Sequence, residues 1–201
     1  MTAAGSRQSK RVGQGTARER LLAAAARRFY VAGLAATGIN VITAEAGVAK
    51  MSLYNNFSSK AELVRAYLDE RHKEWLGLYR RRLELAPNAR ERVLAVFDAY
   101  ADHAALAYEN GFRGCGLLNA AAELPAEDGG RAAVRRHKEQ VEDLLAGHLE
   151  ELLEEKPDRV RSTAEHLAFL LEGAMARAGL EGDDTRLRHA RRMAAELLDR
   201  L

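Results

Sequence analysis

The stretch TGINVITAEAGVAKMSLYNNFSSK, residues 37–60, has the pattern of two short helices joined by a turn. Its first part carries apolar residues at the three- and four-residue spacing of one helical face, and the Thr37 hydroxyl can cap that helix. Gly47 can adopt the left-handed conformation that ends a helix. A second helix, at about residues 50–56, follows at once. The arrangement predicts a helix-turn-helix motif at about residues 38–57, which would place its second helix in the major groove of DNA.

The predicted second helix has an apolar face and a polar face. At about 100° per residue, Leu53 and Phe57 lie together, whereas Met51 and Asn55 lie on the opposite side. Asn can pair with the edge of adenine, Met can contact a thymine methyl group, and Ser or Tyr can reach bases or phosphates. The residues predicted to contact DNA are Thr37, Asn40, Lys50, Met51, Ser52, Tyr54, Asn55, Asn56 and Lys60. The alternative for each of them is a solvated surface residue with no ligand.

Two further helices of the N-terminal region begin at capping boxes. Thr16-Ala17-Arg18-Glu19 starts an amphipathic helix that ends near Gly33, and Ser59-Lys60-Ala61-Glu62 starts a helix that continues to Leu83 or beyond. The second box places Lys60 near a helix N-terminus, where a phosphate group is stabilised.

These motifs together resemble the DNA-binding domain of the TetR family of transcriptional regulators. The resemblance covers about sixty residues, under a third of the chain, and implies an N-terminal three-helix DNA-binding domain, a larger helical ligand-binding domain and a two-fold dimer. It is carried by Thr16-Ala17-Arg18-Glu19-Arg20, Phe29, Gly33, Thr37, Ile42, Gly47-Val48, Leu53-Tyr54, Phe57 and Lys60-Ala61-Glu62-Leu63.

Three positions depart from the usual pattern of that family. Ala49 stands where Ser is usual, so a helix cap worth about 1 kcal/mol is missing. Met51 replaces a small Gly, and Asn56 replaces an aromatic residue or His. We therefore expect the family fold but a different operator sequence.

The composition predicts an all-α protein with an uneven distribution of charge. Only 3 of 201 residues are Pro, and Ala, Leu, Arg and Glu are abundant. Residues 1–73 hold 12 Lys and Arg against 5 Asp and Glu, whereas the rest of the chain holds 19 against 24. A basic N-terminal region is common by itself, but together with the motif it favours contact with phosphate.

The chain divides into three predicted parts: a disordered basic arm at 1–15, a helix-turn-helix DNA-binding domain at 16–62, and a ligand-binding and dimerisation domain at 63–201. The arm either follows the minor groove and backbone of bound DNA or has no role. With one Cys, no signal-peptide pattern and no apolar run long enough to span a membrane, the sequence predicts a cytoplasmic protein without a membrane partner.

Turn residues divide the C-terminal part into further helices. The predicted helices lie at about 88–109, 113–124, 131–155, 159–178 and 185–201, with a turn at 127–130. The small residues around the second of these would allow a helix or a ligand to approach closely. The last two helices are predicted to pair with their two-fold mates as the homodimer interface.

Aromatic and polar residues of the C-terminal part are candidates for a small-molecule pocket. They are Trp75, Tyr79, Tyr100, Tyr108, Phe112, Cys115, Leu118, His166 and Phe169. The alternative is ordinary helical core, which is the commoner role of aromatic residues at this spacing. Cys115 is either a small buried hydrophobe or a redox sensor that would need an external thiol or the sister subunit.

The motifs favour a ligand-responsive regulator of transcription over an enzyme. We find no catalytic signature, no metal-ligand spacing and no cofactor motif, so the sequence predicts no catalytic residue, no metal and no cofactor. The leading hypothesis is a homodimeric repressor that binds a palindromic double-stranded DNA operator and is released by an unknown small-molecule effector. The alternatives are an architectural or non-transcriptional DNA-binding protein with the same motif, and a helical-bundle carrier of a metal or small molecule.

Overall fold

A computed structural model describes residues 15–106, 111–154 and 157–201, and within these ranges every regular element is an α-helix. The helices are α1 (Ala17–Ala32), α2 (Ile39–Ala46), α3 (Lys50–Asn56), α4 (Lys60–Leu83), α5 (Ala89–Ala104), α6 (Gly116–Ala122), α7 (Gly129–Leu152), α8 (Pro157–Glu181) and α9 (Thr185–Leu198). The predicted all-α fold is confirmed. The basic arm, apart from Gly15, and Tyr108 lie outside the described residues.

Side-chain caps fix the start of α1 and α4. Glu19 N donates to Thr16 Oγ1 over 3.2 Å and Thr16 N donates to Glu19 Oε2 over 2.8 Å, which confirms the first capping box. At α4, Glu62 N donates to Ser59 Oγ over 3.1 Å, but the Glu62 carboxylate accepts from Ser58 N at 2.7 Å instead of from Ser59. The second capping box is therefore confirmed in one direction only.

The predicted turn at 127–130 is wrong for its last two residues, because α7 already begins at Gly129. Asp128 caps this helix by accepting from Gly130 N over 2.7 Å. Gly130 is buried, and a Cβ at this position would lie 2.6 Å from Leu124 Cδ1. Gly130 therefore lies within a helix, with the Leu124 side chain packed against it, and not in a turn.

Two other helices end at places that turn residues did not predict. α5 stops at Ala104, before its predicted end at about residue 109. α8 runs from Pro157 to Glu181 and so extends beyond both ends of the predicted helix at 159–178. A proline fits the first turn of a helix because it has no N–H there to satisfy, so it begins α8 as well as separating it from α7.

The 24 residues of α4 span about 36 Å and connect α1–α3 to the rest of the molecule. Near its start, Tyr67 meets Phe29 of α1 edge to face, with ring centroids 5.4 Å apart. Further along, Trp75 and Leu78 are buried among the later helices. We call α5–α9 with the second half of α4 the body. Because both halves of this helix carry buried side chains, α1–α3 cannot tilt without disturbing the packing in the body.

Helices α8 and α9 close the body and leave an apolar surface outside. Leu171 of α8 and Leu187 of α9 are fully buried. On the other side, Phe169 is 67 % exposed and Met193 is 46 % exposed. In the described residues, no helix combines the length and the apolar character that crossing a membrane requires.

Two histidines, His103 and His137, are buried in the body. His137 Nδ1 lies 2.8 Å from His72 Nδ1, and its ring packs edge to face on Trp75 with centroids 5.3 Å apart. Burial, with a smaller effect from the charge of Lys138, lowers the pKa of His137 to about 3. Burial, with smaller effects from nearby positive charges, lowers the pKa of His103 to about 4. Both rings are therefore neutral at neutral pH.

Acid is predicted to destabilise the fold through these two rings. Each has a pKa of about 6.5 in the unfolded chain, so below that pH the unfolded state binds more protons than the folded state. The contribution is complete above about pH 6.5 and falls as the pH drops towards 4, by up to about 1.4 kcal/mol per pH unit for each ring. Urea unfolding at a series of pH values measures this slope.

The matched variants separate the histidines from the carboxylates, which also titrate in acid. His137→Gln should reduce the slope of unfolding free energy against pH, whereas His166→Gln, at an exposed position of α8, should not. Equal slopes of unfolding free energy against pH for the native protein and His137→Gln would show that His137 does not cause the loss of stability in acid.

Candidate nucleic-acid interface

The turn between α2 and α3 is built on Gly47. Its φ of 61° and ψ of 40° lie in the left-handed region, and Val48 N donates to Thr43 O over 3.1 Å. Gly adopts this conformation without the steric cost that a Cβ brings. The predicted position of the turn is confirmed, and α3 has the predicted bounds, Lys50–Asn56.

Helix α3 buries one face and exposes the other. Leu53 and the following Phe57 are 0 % and 1 % exposed, and the Arg18 guanidinium lies 5.1 Å from the centre of the Phe57 ring. Four of the predicted DNA-contacting residues on α3 are not covered by the rest of the molecule. We call them the reading face: Lys50, Met51, Tyr54 and Asn55, all of which are exposed.

The two remaining candidates on α3 are less available than these four. Ser52 and Asn56 are only half-exposed, and Asn56 Nδ2 donates to the Ser52 carbonyl oxygen over 2.7 Å. The Asn56 amide thus bonds to its own helix. Asn40, at the start of α2, is exposed.

Thr37 does not cap α2, contrary to prediction. Its side chain is buried, and its hydroxyl donates to the carbonyl oxygens of Gly33 at 2.7 Å and Arg28 at 3.2 Å. It therefore fastens the α1–α2 loop to α1. The residue at the N-cap is Gly38, which provides no side-chain acceptor. The N-cap therefore provides no acceptor for the first backbone N–H groups of α2. Such N–H groups can donate hydrogen bonds to a phosphate oxygen.

Lys60 also has a structural partner. Its Nζ donates to the Leu34 carbonyl oxygen over 2.6 Å, so the ammonium group faces the α1–α2 loop. The prediction that Lys60 presents its charge to phosphate at the start of α4 is not supported by this geometry. Both Thr37 and Lys60 instead position the loop that leads into α2.

The same loop is bound from the body by a residue that sequence reasoning missed. Glu123, which directly follows α6, accepts from Leu34 N and Ala35 N, each over 2.8 Å. Gly33 precedes these amides with φ of 88°, and a Cβ there would lie 2.5 Å from Glu123 Oε1. The sequence separates Glu123 from the loop by almost ninety positions and marks neither partner, so no local pattern could have found the contact.

A second set of bonds joins the end of α1 to the segment before α6. Tyr30 Oη accepts from Arg113 N over 2.6 Å and donates to the Gly114 carbonyl oxygen over 3.2 Å. The Arg113 guanidinium donates to the carbonyl oxygens of Tyr30, at 2.9 Å, and Val31. We call the bonds made by Tyr30, Arg113 and Glu123 the joint, because they connect α1 and its loop to the body.

The predicted ligand-pocket residues of the body mostly pack on one another. Trp75 stacks on Tyr79 with centroids 5.6 Å apart, and it lies 5.2 Å from the Tyr100 ring centre. Trp75, Tyr100 and the buried Cys115 border a cavity of only about 20 Å³, room for roughly one water molecule. Phe112 is buried nearby, with its ring centre 6.3 Å from that of His103.

Three of the predicted pocket residues do not join this cluster. Leu118 is on the outer side of α6, 39 % exposed. His166 and Phe169 are exposed on the outer side of α8, the side that the body does not cover. These three residues therefore do not line the interior of the body, because the helical faces that carry them point away from the core.

A larger cavity of about 640 Å³ lies between α1 and the body. Its described lining comes from α1, α4, the end of α5 and the start of α6: Ala23, Ala26, Arg27, Tyr30, Val31, Tyr67, Arg71, Glu74, His103, Leu106 and Gly116. None of the predicted pocket residues that the structure describes belongs to it. The described residues contain no group of three His, Cys, Asp or Glu side chains placed to hold a metal ion.

A helix-turn-helix whose second helix presents an exposed, partly polar face defines a DNA-binding protein of the helix-turn-helix class. Comparison with known proteins makes the assignment narrower: the chain belongs to the TetR family of bacterial regulatory proteins. Residues 21–67 match the pattern described as "Bacterial regulatory proteins, tetR family", and residues 89–194 match "Tetracyclin repressor-like, C-terminal domain". The protein is thus a transcriptional regulator with a DNA-binding helix-turn-helix.

Individual relatives agree with this assignment. The crystal structure of SCO4454, a TetR-family transcriptional regulator from Streptomyces coelicolor, is 33% identical, with a TM-score of 0.81 over 92% of this chain and 94% of that one. The HTH-type transcriptional activator FasR of Mycolicibacterium smegmatis is 35% identical over 50% of this chain and 46% of its own length. The HTH-type transcriptional regulator TtgR of Pseudomonas putida is 42% identical over 33% and 31%. The chain therefore matches less than half the length of these two curated relatives.

Ala49, the N-cap of α3, allows a test of how the motif is stabilised. Its φ of −68° and ψ of 150° suit a capping residue, but it has no side-chain oxygen. Ala49→Ser should therefore raise the free energy of unfolding by about 1 kcal/mol, as measured in urea. Ala44→Ser, at an exposed position inside α2, should lower it slightly because Ser is a poorer helix former than Ala. An equal effect of the two substitutions would refute the capping argument.

Proposed function

We propose that this protein is a cytoplasmic, homodimeric repressor that binds a palindromic operator and releases it when a small molecule binds. The observation that carries the proposal is the reading face on α3. Residues 16–62 form the DNA-binding domain and residues 63–201 form the ligand-binding and dimerisation domain. The relative FasR of M. smegmatis is named as an activator, so repression needs a test of its own. A reporter gene under the control of the operator provides that test.

The reading face combines the chemistry that DNA recognition requires. Asn55 can pair with adenine, Met51 can contact a thymine methyl group, Tyr54 can reach a base or a phosphate, and Lys50 can neutralise a phosphate. Asn40, exposed at the start of α2, is a further contact to the backbone or a base edge. Ser52 and Asn56 lie at the edge of this face and make a smaller contribution.

Dimerisation follows from the way in which the motif reads DNA. One recognition helix contacts too few base pairs for specificity, so two helices enter successive major grooves about 34–36 Å apart. The apolar outer surface of α8 and α9, with Phe169 and Met193, supports a two-fold interface of four helices. A ligand needs only to favour another spacing, and a coupling of about 1–3 kcal/mol would change operator affinity about five- to 150-fold.

The operator can be selected from a pool of random DNA duplexes and then used to test the reading face. Tyr54→Ala and Asn55→Ala should each weaken operator binding about five- to 150-fold, the loss of one base contact worth about 1–3 kcal/mol. Lys50→Ala should instead reduce the salt slope by about one unit without changing the selected sequence. Fluorescence anisotropy measures both quantities.

Arg135→Ala is a suitable control, because Arg135 is an exposed charge on α7 in the body. It should leave affinity unchanged. A palindrome that is bound equally well by the native protein and Tyr54→Ala would exclude the reading face as the DNA contact.

The proposed dimer interface is tested separately. Phe169→Arg should convert the dimer to a monomer at micromolar concentration, because two buried guanidinium groups would face each other across the two-fold axis. Leu85→Arg is the matched control, since Leu85 is 77 % exposed and lies outside α8 and α9. Analytical ultracentrifugation measures the mass. A Phe169→Arg protein that stays dimeric would place the interface elsewhere.

A further inference from the structure

We propose that the effector is an amphipathic organic anion that binds in the cavity between α1 and the body, and not inside the aromatic cluster of the body. The inference rests on the proposed ligand response and names the site and the chemical class of the ligand. We call the site the α1 cavity.

Volume separates the two candidate sites. The α1 cavity measures about 640 Å³, within the roughly 300–1,000 Å³ that small-molecule sites occupy. The space among Trp75, Tyr100 and Cys115 measures about 20 Å³. A ligand could enter that cluster only by displacing stacked aromatic side chains. The α1 cavity has room for a ligand without such a displacement.

Most of the wall of the α1 cavity is apolar. Ala26 of α1, Tyr67 of α4 and Leu106 after α5 contribute carbon surface. Such a wall stabilises an alkyl chain or a ring system by removing its surface from water, at about 25 cal/mol for each Å². The ligand therefore has an apolar body.

The charged groups at this site favour an anionic head group. Arg27 and Arg28 both pair with Glu45, so these two guanidinium groups share one carboxylate. Arg71 Nη1 pairs with Glu74 over 2.7 Å, but Arg71 Nε is buried and, among the described residues, has no hydrogen-bond partner. Among the described lining residues, two guanidinium groups, those of Arg27 and Arg71, stand against one carboxylate, that of Glu74. A ligand carboxylate would supply the missing negative charge and an acceptor.

A histidine in the wall agrees with this sign of charge. Burial first, and then the charges of Arg71 and Lys138, lower the pKa of His103 to about 4, so the ring is neutral at neutral pH. The positive potential that disfavours a protonated His103 is the same potential that favours an anion.

The cavity also touches the joint. Tyr30 lines it, and the Tyr30 hydroxyl makes the bonds to Arg113 and Gly114. Gly116 at the start of α6 lines it as well, and a Cβ there would lie 3.0 Å from Tyr67 Oη and 3.2 Å from Tyr30 Cδ2. Because Tyr30 and Gly116 both line the cavity, a ligand there contacts α1 on one side and α6 on the other. It can therefore favour one angle between α1 and the body over another.

Decanoate, decanol and decyltrimethylammonium are suitable probes, because they share an apolar chain and differ in the charge of the head group. Isothermal titration of the full chain, without DNA, should show decanoate binding about tenfold or more tightly than the other two, as expected when a charge-assisted hydrogen bond is gained. Equal binding of the three probes, or no binding of decanoate, would overturn the assigned chemical class.

Two pairs of variants test the location. Ala26→Phe fills the cavity and should weaken decanoate binding about tenfold or more, whereas Ala32→Phe, exposed on the same helix, should not. Arg71→Gln should weaken decanoate binding by a similar factor and leave decanol binding unchanged, whereas Arg80→Gln, exposed on α4, should affect neither. Native-like decanoate binding by both Ala26→Phe and Arg71→Gln would overturn the site.

Operator selection is a separate measurement on the same proteins. Failure of decanoate binding with an enriched palindrome would overturn only this inference. Decanoate binding without any enriched sequence would contradict the proposed regulator and leave the site standing.

Discussion

The carboxylate of Glu123 holds the loop that leads into the DNA-binding motif. It accepts from two consecutive amides, Leu34 N and Ala35 N, and a Cβ at position 33, where φ is 88°, would displace it. The Lys60 ammonium binds the carbonyl oxygen of Leu34. The backbone groups of this loop are therefore satisfied by side chains from two different parts of the molecule. Since α2 begins a few residues later, the direction of the motif depends on these contacts.

The joint explains how one chain can combine recognition of DNA with a response in the body. Tyr30 and Arg113 bind each other's backbone at the end of α1, while α4 provides a stiff connection of about 36 Å. Two attachments restrict the angle of α1–α3 more strongly than one. The α1 cavity lies between these attachments, so a molecule that enters it contacts the residues that set this angle. A regulator of this design needs no long path through the core between its ligand and its DNA.

Local patterns in the sequence predicted the helices and the turn of the motif well, because interactions between residues close in the sequence determine where these begin and end. The capping box at Thr16, the left-handed Gly47 and the apolar side of α3 all act within a few residues, and each lies where it was predicted. The amphipathic pattern likewise predicted the long α4. Position 37 shows the limit of this reasoning. A threonine before a helix is usually a cap, but here its hydroxyl finds closer acceptors in α1.

Contacts between distant segments could not be predicted in the same way. Glu123 resembles any exposed Glu that follows a helix, and nothing in its neighbourhood points to Leu34. The aromatic residues of the body were predicted as a pocket from their type alone, yet stacking of Trp75 on Tyr79 fills the space. The cavity that remains is lined largely by Ala, Arg and Tyr from helices far apart in the chain, a combination without a sequence pattern.

Amide hydrogen exchange tests the central claim, that Glu123 holds the loop before the motif. In Glu123→Ala, exchange at Leu34 and Ala35 should rise about tenfold or more, as expected from losing hydrogen bonds to a charged group, while exchange in α7 stays unchanged. Glu127→Ala, which removes an exposed carboxylate of the same segment, should leave all these rates as they are. Native rates at Leu34 and Ala35 in Glu123→Ala would contradict the account.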